Sequence, residues 1–553
     1  MDTQRLDHSS SIRAQQPDGS GGDSLLSRRR LVTGIAAALV VPGVASGIGA
    51  RAIAAPPPVD RKKWHDVRRF GARGDGKAID SAAINAAILH AAGQGGGTVH
   101  LPPGIYRCFS IRMRSGITLH LDPGATILAA SVPFEGLASG GYDAAEPIHP
   151  SYRDFQDFGH SHWHNSLIWG EGLHDIAIVG GGLIDGEGLA RDYWDELGVA
   201  GSRKPGVGDK AIALKNCRGV TLRDVRMVRG GWFCLLATGV DKLVIDNVTV
   251  DTNRDGFDID CCRDVRVVGC TVNSPYDDGI CPKSSFALGY ARATENVVIE
   301  RSLVTGGYEV GSVIDGSWRR LPPSFNGTGR IKCGTESNGG FRNIVIRDCV
   351  FDQSRGLALE TVDGGVLEDV TVSDIRMRGA QTSPIFLRLG RRLRGPAGTP
   401  VGVLRRIKIH NLISRDAAIM PSTIAGVVGH PVEDISISDV QLHQVGGQSQ
   451  TLLHYFPAAA EDAYPEPGMF GPLPATGLWA RDVRHLELAN VEVATTYADR
   501  RPALWFERAD RVAVTNLRSP TTPAIGLRRV RDFRRTDAAA PTVTVAATEE
   551  SML

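Results

Sequence analysis

Val220-Thr221-Leu222-Arg223-Asp224-Val225, Leu243-Val244-Ile245-Asp246-Asn247-Val248 and Val265-Arg266-Val267-Val268-Gly269-Cys270 are three versions of one unit. Each alternates apolar and polar residues, reaches Asp, Asn or Gly, and resumes with an apolar residue. Alternation at period 2 marks a strand with one buried face. Asp224 to Asn247 is 23 residues and Asn247 to Gly269 is 22. The unit recurs around Arg301, Asp348, Asp374, Asn411, Asp439, Asn490 and Asn516, with steps such as 26 from Asp348 to Asp374 and 28 from Asn411 to Asp439. The step of 51 from Asp439 to Asn490 leaves room for a loop or a skipped turn. A period in the twenties, with no helical stripe after residue 95, is the mark of a solenoid. The Leu ladder of leucine-rich repeats is absent, and Val and Ile dominate instead. The expected fold is all-β: a single-stranded, right-handed parallel β-helix whose coils set like residues side by side about 4.8 Å apart.

Outward from the repeats, Asp80 stands before an apolar stripe at Ile84, Ala87, Ile88 and Ala91, closed by Gly95-Gly96-Gly97. This reads as a short N-terminal helix, capped by Asp80, that covers the open end of the stack. Residues 1–55 read as a polar leader and an export signal. Arg28-Arg29-Arg30 precede an apolar run that ends in small residues, a pattern of the twin-arginine type. The run is broken by Gly34, Pro42 and Gly43, which disfavours a membrane anchor. The protein is expected outside the cytoplasm, periplasmic or secreted, with no stable membrane association after signal removal. Residues 63–533 form the expected β-helix and 534–553 a flexible tail.

The net charge of +1 provides no global field for nucleic acid or a membrane surface, so any anion site must be local. The nine Cys are odd in number, lie in or beside strand-like runs and form no paired CxxC motif. They are expected as buried, reduced thiols rather than disulfides or zinc ligands.

Three polar segments stand out against the coil period. They are Asn253-Arg254-Asp255-Gly256, Tyr276-Asp277-Asp278-Gly279 and Arg330-Ile331-Lys332. Asp255 and Asp278 are 23 residues apart, one coil. Arg330 and Lys332 follow two coils later once the loop at Gly316–Gly329 is set aside. One face therefore gathers three carboxylates and two cations. Asp-Gly is also a common turn signal, so each segment alone is compatible with a plain corner.

These segments resemble glycoside hydrolase family 28, the polygalacturonases, together with Gly180-Gly181-Gly182-Leu183-Ile184-Asp185-Gly186 and the helix region. The resemblance covers most of residues 63–450. It implies the pectin lyase-like solenoid and a glycosidase acting on a pectic, uronic-acid-containing carbohydrate. It also implies an inverting mechanism with Asp277 or Asp278 as general acid, Asp278 being favoured. Asp255 and the remaining aspartate position water. Inversion sets an expected carboxyl separation of roughly 6.5–9.5 Å. Arg330 and Lys332 are the expected binders of a substrate carboxylate, Arg through a bidentate fork. Asn253 and Lys283 are further substrate contacts, although Lys283 equally suits a salt bridge to the acidic pair. Glu360 is a candidate for the cleft lining. No cofactor or metal is expected.

Two departures qualify this. Arg254 replaces the family's Thr. The family's Gly-His-Gly segment reads Gly306-Gly307-Tyr308-Glu309-Val310-Gly311-Ser312, with Gly306 at the His position. Tyr308 and Glu309 are the nearest polar side chains that could replace it. His160-Ser161-His162-Trp163-His164-Asn165 is a second polar group, read as a sugar subsite or as packing in preference to a metal site, because no fixed ligand spacing is visible. Trp163, Trp169, Trp194, Trp232 and Trp318 offer faces for sugar stacking or for the core. Insertions at 130–165, 313–329 and 445–480 could close one end of the cleft and favour exo action. Two other readings remain: a Ca²⁺-dependent polysaccharide lyase with Arg330 or Lys332 as base, and a non-catalytic carbohydrate-binding β-helix.

Overall fold

The computed structural model describes residues 64–131, 141–190, 205–448, 452, 455–538 and 540–553. The leader at 1–55 lies outside them. Short strands recur in threes, as in Arg218–Arg223, Arg226–Val228 and Phe233–Thr238, and each pairs in parallel with its counterpart one coil on. The result is the expected right-handed parallel β-helix. One inward column runs from Ile176 through Val220, Leu243, Val265, Val297, Ile344, Val370, Ile407, Ile435, Leu486 and Val512 to Phe533 in unbroken register. All twelve side chains are buried. No single coil can bury such a row, so stacking is what removes it from water.

The polar marker of the repeat has a backbone cause. Asp224, Asn247, Gly269, Arg301, Asp348, Asp374, Asn411, Asp439, Asn490 and Asn516 all have φ between 51° and 64°. The chain turns a corner there in the left-handed region, which Gly, Asn and Asp tolerate best. The side chains then bond along the stack: Asn247 Nδ2 donates to Asp224, Asn411 to Asp374, Asn490 to Asp439 and Asn516 to Asn490, at 2.6–3.0 Å. Ser438 pairs directly with Ala489, so the step of 51 is one coil carrying a long excursion.

The helix Ser81–Gly93 covers the N-terminal end, with Ile84, Ala87, Ile88 and Ala91 buried as expected. Asp80 does not cap it. Its carboxylate accepts from Arg73 N and Gly74 N at 2.8 and 3.0 Å, tying down the preceding turn. The expected tail is also corrected. Ile525–Asp537 is the last parallel strand, and Ala540–Met552 folds back antiparallel on it. An unpaired final coil would leave a row of open backbone groups, and this strand covers them. All nine cysteines are free and buried. Among the described residues no helix is long and apolar enough to cross a membrane.

Candidate active site

Register builds the site. Phe257 pairs with Ile280, which sets Asp255 beside Asp278. Ile280 bridges Ile331, and Gly279 N donates to Arg330 O at 2.8 Å. Asp255, Asp277-Asp278 and Arg330-Lys332 thus occupy three successive coils. Lys332 pairs with Ala358, so Glu360 lies one coil further. Phe257, Ile259, Ile280 and Ile331 are buried in the core, and the alternate residues face outward. Both glycines of the Asp-Gly pairs serve close stacking: a Cβ on Gly256 would lie 2.4 Å from the Gly279 carbonyl oxygen.

The three aspartates have different surroundings. Asp278 is buried, and Arg330 Nε donates to its Oδ1 at 2.7 Å while Lys332 Nζ lies 3.2 Å from Oδ2. Burial pushes its carboxyl up, but Arg330, Lys332 and Lys283 outweigh burial and hold it below the ordinary carboxylate range. Asp255 is raised to about 6 by burial and then by Asp258, against Lys283. Asp277 is raised to about 8, by withdrawal from water and then by the Asp255 charge, against Arg254. Its Oδ1 accepts from Asp278 N at 3.0 Å, and the same N–H lies 3.2 Å from Asp255 Oδ1. Asp277 is also the most open of the three, with 30% of its side chain exposed. Arg254 reaches Asp277 at 3.3 Å and lies over the Trp232 ring.

Two of the carboxylates approach each other closely. Ligand atoms of Asp255 and Asp278 lie within 4.8 Å of one another. Their closeness follows from the coil stacking, which places them on adjacent coils.

Lys283 is buried and bound to three carboxylates: Asp255 at 3.3 Å, and Asp258 and Glu336 at 3.6 Å. The salt-bridge alternative therefore holds, with different partners from the expected acidic pair. His160 joins this group, its Nε2 lying 3.1 Å from Asp258 Oδ2. His160, Asp255 and Asp258 bring ligand atoms within 4.8 Å, a set compatible with a metal. The Lys283 ammonium supplies positive charge at the same two carboxylates. His162 bonds Ser161, and His164 lies between Glu146 and Glu171 and stacks on Trp169. Trp163 and Trp232 are buried packing residues, and Trp194 is outside the described residues.

Tyr308 and Glu309 do not replace the missing histidine. The Tyr308 hydroxyl donates to Asp352 at 3.0 Å and its ring meets Trp318 edge-on. Glu309 pairs with Arg319 at 2.7 Å. A Cβ on Gly306 would lie 2.7 Å from Thr328 N, so the packing there admits no histidine. Glu309 does line a neighbouring cavity of about 350 Å³ with Asn253, Tyr276 and Arg229. Asn253 Oδ1 is buried there without a partner.

The excursion after Gly446 reaches the site. Glu466 takes Arg330 Nη2 and Nη1 at 2.7 and 3.4 Å and pairs with Arg355 at 3.4 Å. The Tyr464 hydroxyl contacts Thr335 Oγ1 at 3.0 Å and Lys332 Nζ at 3.2 Å. An outward row of arginines holds this segment. Arg388 donates to the carbonyls of Ala459 and Ala460, Arg481 to those of Pro457 and Ala458, and Arg528 to that of Tyr455. Phe470 packs on Trp479 with ring centroids 5.0 Å apart. Glu360 is buried beside Lys332 at 3.8 Å, beneath this cover.

Sequence reasoning missed Asp258, Glu336, Tyr464 and Glu466. Asp258 had a signal: Asp255-Gly256-Phe257-Asp258-Ile259-Asp260 puts aspartates on the outer face of a strand whose alternate residues are core. Glu336 follows from the coil register that pairs Ser284 with Ser337 and so sets it beside Lys283, whereas Tyr464 and Glu466 had no signal, because long-range folding alone brings them here.

Residues 64–151 match the family described as rhamnogalacturonase A/epimerase, pectate lyase-like, and residues 151–321 match glycosyl hydrolases family 28. Arg330 and Lys332 lie beyond the matched segment. The chain is 34% identical over 140 residues to an exo-poly-alpha-D-galacturonosidase of Dickeya chrysanthemi, covering 24% of this chain and 21% of that one. It is 58% identical over 43 residues to alginate lyase 7 of Azotobacter vinelandii, 8% of this chain and 5% of that one. The match thus spans about a fifth or less of these relatives' length. Among solved structures, an exopolygalacturonase from Thermotoga maritima is similar in fold, with TM-score 0.56 and 17% identity over 89% of this chain and 95% of that one.

Proposed function

We propose, from the match of residues 151–321 to glycosyl hydrolases family 28, that the protein is a glycosidase that hydrolyses a pectic polysaccharide or oligosaccharide. The observation that carries this reading is the meeting of Asp255, Asp277 and Asp278 on neighbouring coils, with Asp277 the one that is open to solvent. Hydrolysis needs a carboxylic acid to protonate the leaving oxygen and a carboxylate to activate water. Asp277 is the acid: it is raised, and it is the aspartate open to the cleft. This reverses the preference for Asp278, whose two oxygens are committed to Arg330 and Lys332.

Asp255 and Asp278 hold the water. Their ligand atoms lie within 4.8 Å, which one water can span with two hydrogen bonds of about 2.8 Å. A nucleophilic role for Asp278 is disfavoured by its ion pairs, so water attacks directly and the anomeric configuration inverts. Arg330 and Lys332 are held well protonated by Asp278 and their other acidic neighbours, against burial, which argues against either as the base of an eliminating lyase. The Tyr464–Phe470 segment, seated against Arg330 and Lys332, supports exo action. The leader supports an exported location.

The test is a panel of pectic oligosaccharides, with products resolved by chromatography and the first-formed anomer read by proton NMR. New reducing ends of inverted configuration are expected, with no ultraviolet absorbance from an unsaturated product. A chelator-sensitive ultraviolet signal would sink the reading. Retained configuration would remove the direct water attack and leave the hydrolase.

A further inference from the structure

Arg330 and Lys332, the two cations expected to receive a substrate carboxylate, are already occupied. Arg330 is 1% exposed, and its three nitrogens are taken by Asp278 and Glu466. Lys332 is 2% exposed and lies among Asp278, Glu360 and the Tyr464 hydroxyl. The other cations of the cluster are engaged as well: Lys283 with three carboxylates, Arg254 with Asp277 and Arg355 with Glu466.

Glu466 comes from 136 positions away in sequence and lands on the terminal nitrogens of Arg330, the fork a bound carboxylate would use. Its side chain is 28% exposed, so it presents negative charge to the cleft. Its placement is secured. Tyr464 is tied to Thr335 two residues before it, and Phe470 is packed on Trp479 four residues after it. Arg388 and Arg481 fix the backbone at 457–460.

We infer that Glu466 is a specificity-determining residue: it fills the carboxylate position of Arg330, so the site takes an uncharged glycosyl unit there in place of a uronate. This rests on the hydrolase reading above. An incoming carboxylate would meet Glu466 and Asp278 as like charges and would find every cation of the cluster paired. Sugar hydroxyls instead find acceptors in Glu466 and Asp278 and a hydroxyl partner in Tyr464.

The test compares an oligogalacturonide with the same oligosaccharide after its carboxyl groups are reduced to primary alcohols, which keeps linkage and length. For the full chain, kcat/KM for the reduced substrate is expected to exceed that for the charged one by about tenfold or more. Glu466→Gln is expected to shrink that ratio by about tenfold, through KM more than kcat. A preference for the charged substrate, or a ratio unmoved by Glu466→Gln, overturns the inference. If the variant does not fold, the wild-type ratio decides. If neither substrate is turned over, the panel of pectic oligosaccharides decides the hydrolase reading, and calorimetric binding of the same pair decides this one. Tighter binding of the reduced oligomer supports it, and equal or weaker binding overturns it.

Discussion

Arg330 donates through Nε to Oδ1 of Asp278 at 2.7 Å, inside a site where both side chains are buried. The bond sets the order of ionisation, since it holds Asp278 charged beside an aspartate that stays protonated. It also ties Asp278 to stability. Asp278→Asn leaves Arg330 and Lys332 buried without their shared carboxylate, and a loss of about 3–5 kcal/mol is expected by denaturant titration at pH 7. The folded carboxyl lies below its unfolded value, so this stabilisation is fully present above about pH 4 and is lost as the pH falls through the folded value. The variant's stability should therefore change less than the wild type's as the pH falls below about 4.

Asp277→Asn removes the proposed acid while keeping the side chain's shape. The expected loss in kcat is about 10²–10⁴-fold, with binding of oligosaccharide retained by calorimetry. The stability effect has the opposite sign to that at Asp278. A raised carboxyl costs more to ionise folded than unfolded, so its penalty grows as pH rises from about 4 toward the folded value of about 8. The variant should melt higher than wild type at pH 8 and gain less at pH 5. A lower melting temperature at pH 8 would contradict the raised carboxyl.

The pH dependence of kcat/KM follows from the same pair. Asp255, raised to about 6, must ionise, and Asp277, raised to about 8, must hold its proton. A bell with limbs near those values is expected, and the two limbs belong to the coupled pair. Arg254 opposes the rise of Asp277 from 3.3 Å. Arg254→Gln should move the alkaline limb upward, and a downward shift would remove Asp277 as the acid.

The solenoid was legible because each coil repeats the same requirement. An inward apolar row and a left-handed corner leave a periodic mark, and the polar markers from Asp224 to Asn516 are those corners. Asp255, Asp277, Asp278, Arg330 and Lys332 were legible because neighbouring coils convert a sequence period into contact. Glu466 and Tyr464 were not, since an excursion has no register and nothing local shows where it lands. The free clamp expected from Arg330 and Lys332 failed for that reason. Tyr308 and Glu309 are near Gly306 in sequence, but the structure turns them toward Asp352 and Arg319.

The corner residues predict a local energetic rule. Asn411 has φ 51° and its Nδ2 donates to Asp374 at 2.6 Å. Asn411→Ala loses the bond and strains the left-handed backbone, and about 2 kcal/mol of destabilisation is expected. Asn411→Gly loses the bond but relieves the strain, so it should cost less. Denaturant midpoints of the two variants separate backbone strain from the hydrogen bond, and equal midpoints would mean the backbone contributes nothing.

The cover over the cleft depends on Phe470, buried against Trp479 and lying beneath Arg388 and Arg481, whose guanidinium carbons are 5.2 and 5.3 Å from its ring centroid. Phe470→Ala is expected to cost about 3–5 kcal/mol if the cover and the coils unfold together. If the cover opens alone, global stability changes little and proteolysis instead cuts near residues 455–470. The second outcome is expected, because the excursion lies outside the stacked core while the strands beneath it keep their register. An open cover also removes Glu466 from Arg330 and unblocks the end of the cleft. Product size then reports the change: wild type should release short products from one chain end, and Phe470→Ala should add longer internal fragments. Chromatography of early time points on a polymeric pectic substrate distinguishes them. An unchanged product pattern in a variant whose cover is cleaved by protease would mean that Tyr464–Phe470 does not set the mode of attack.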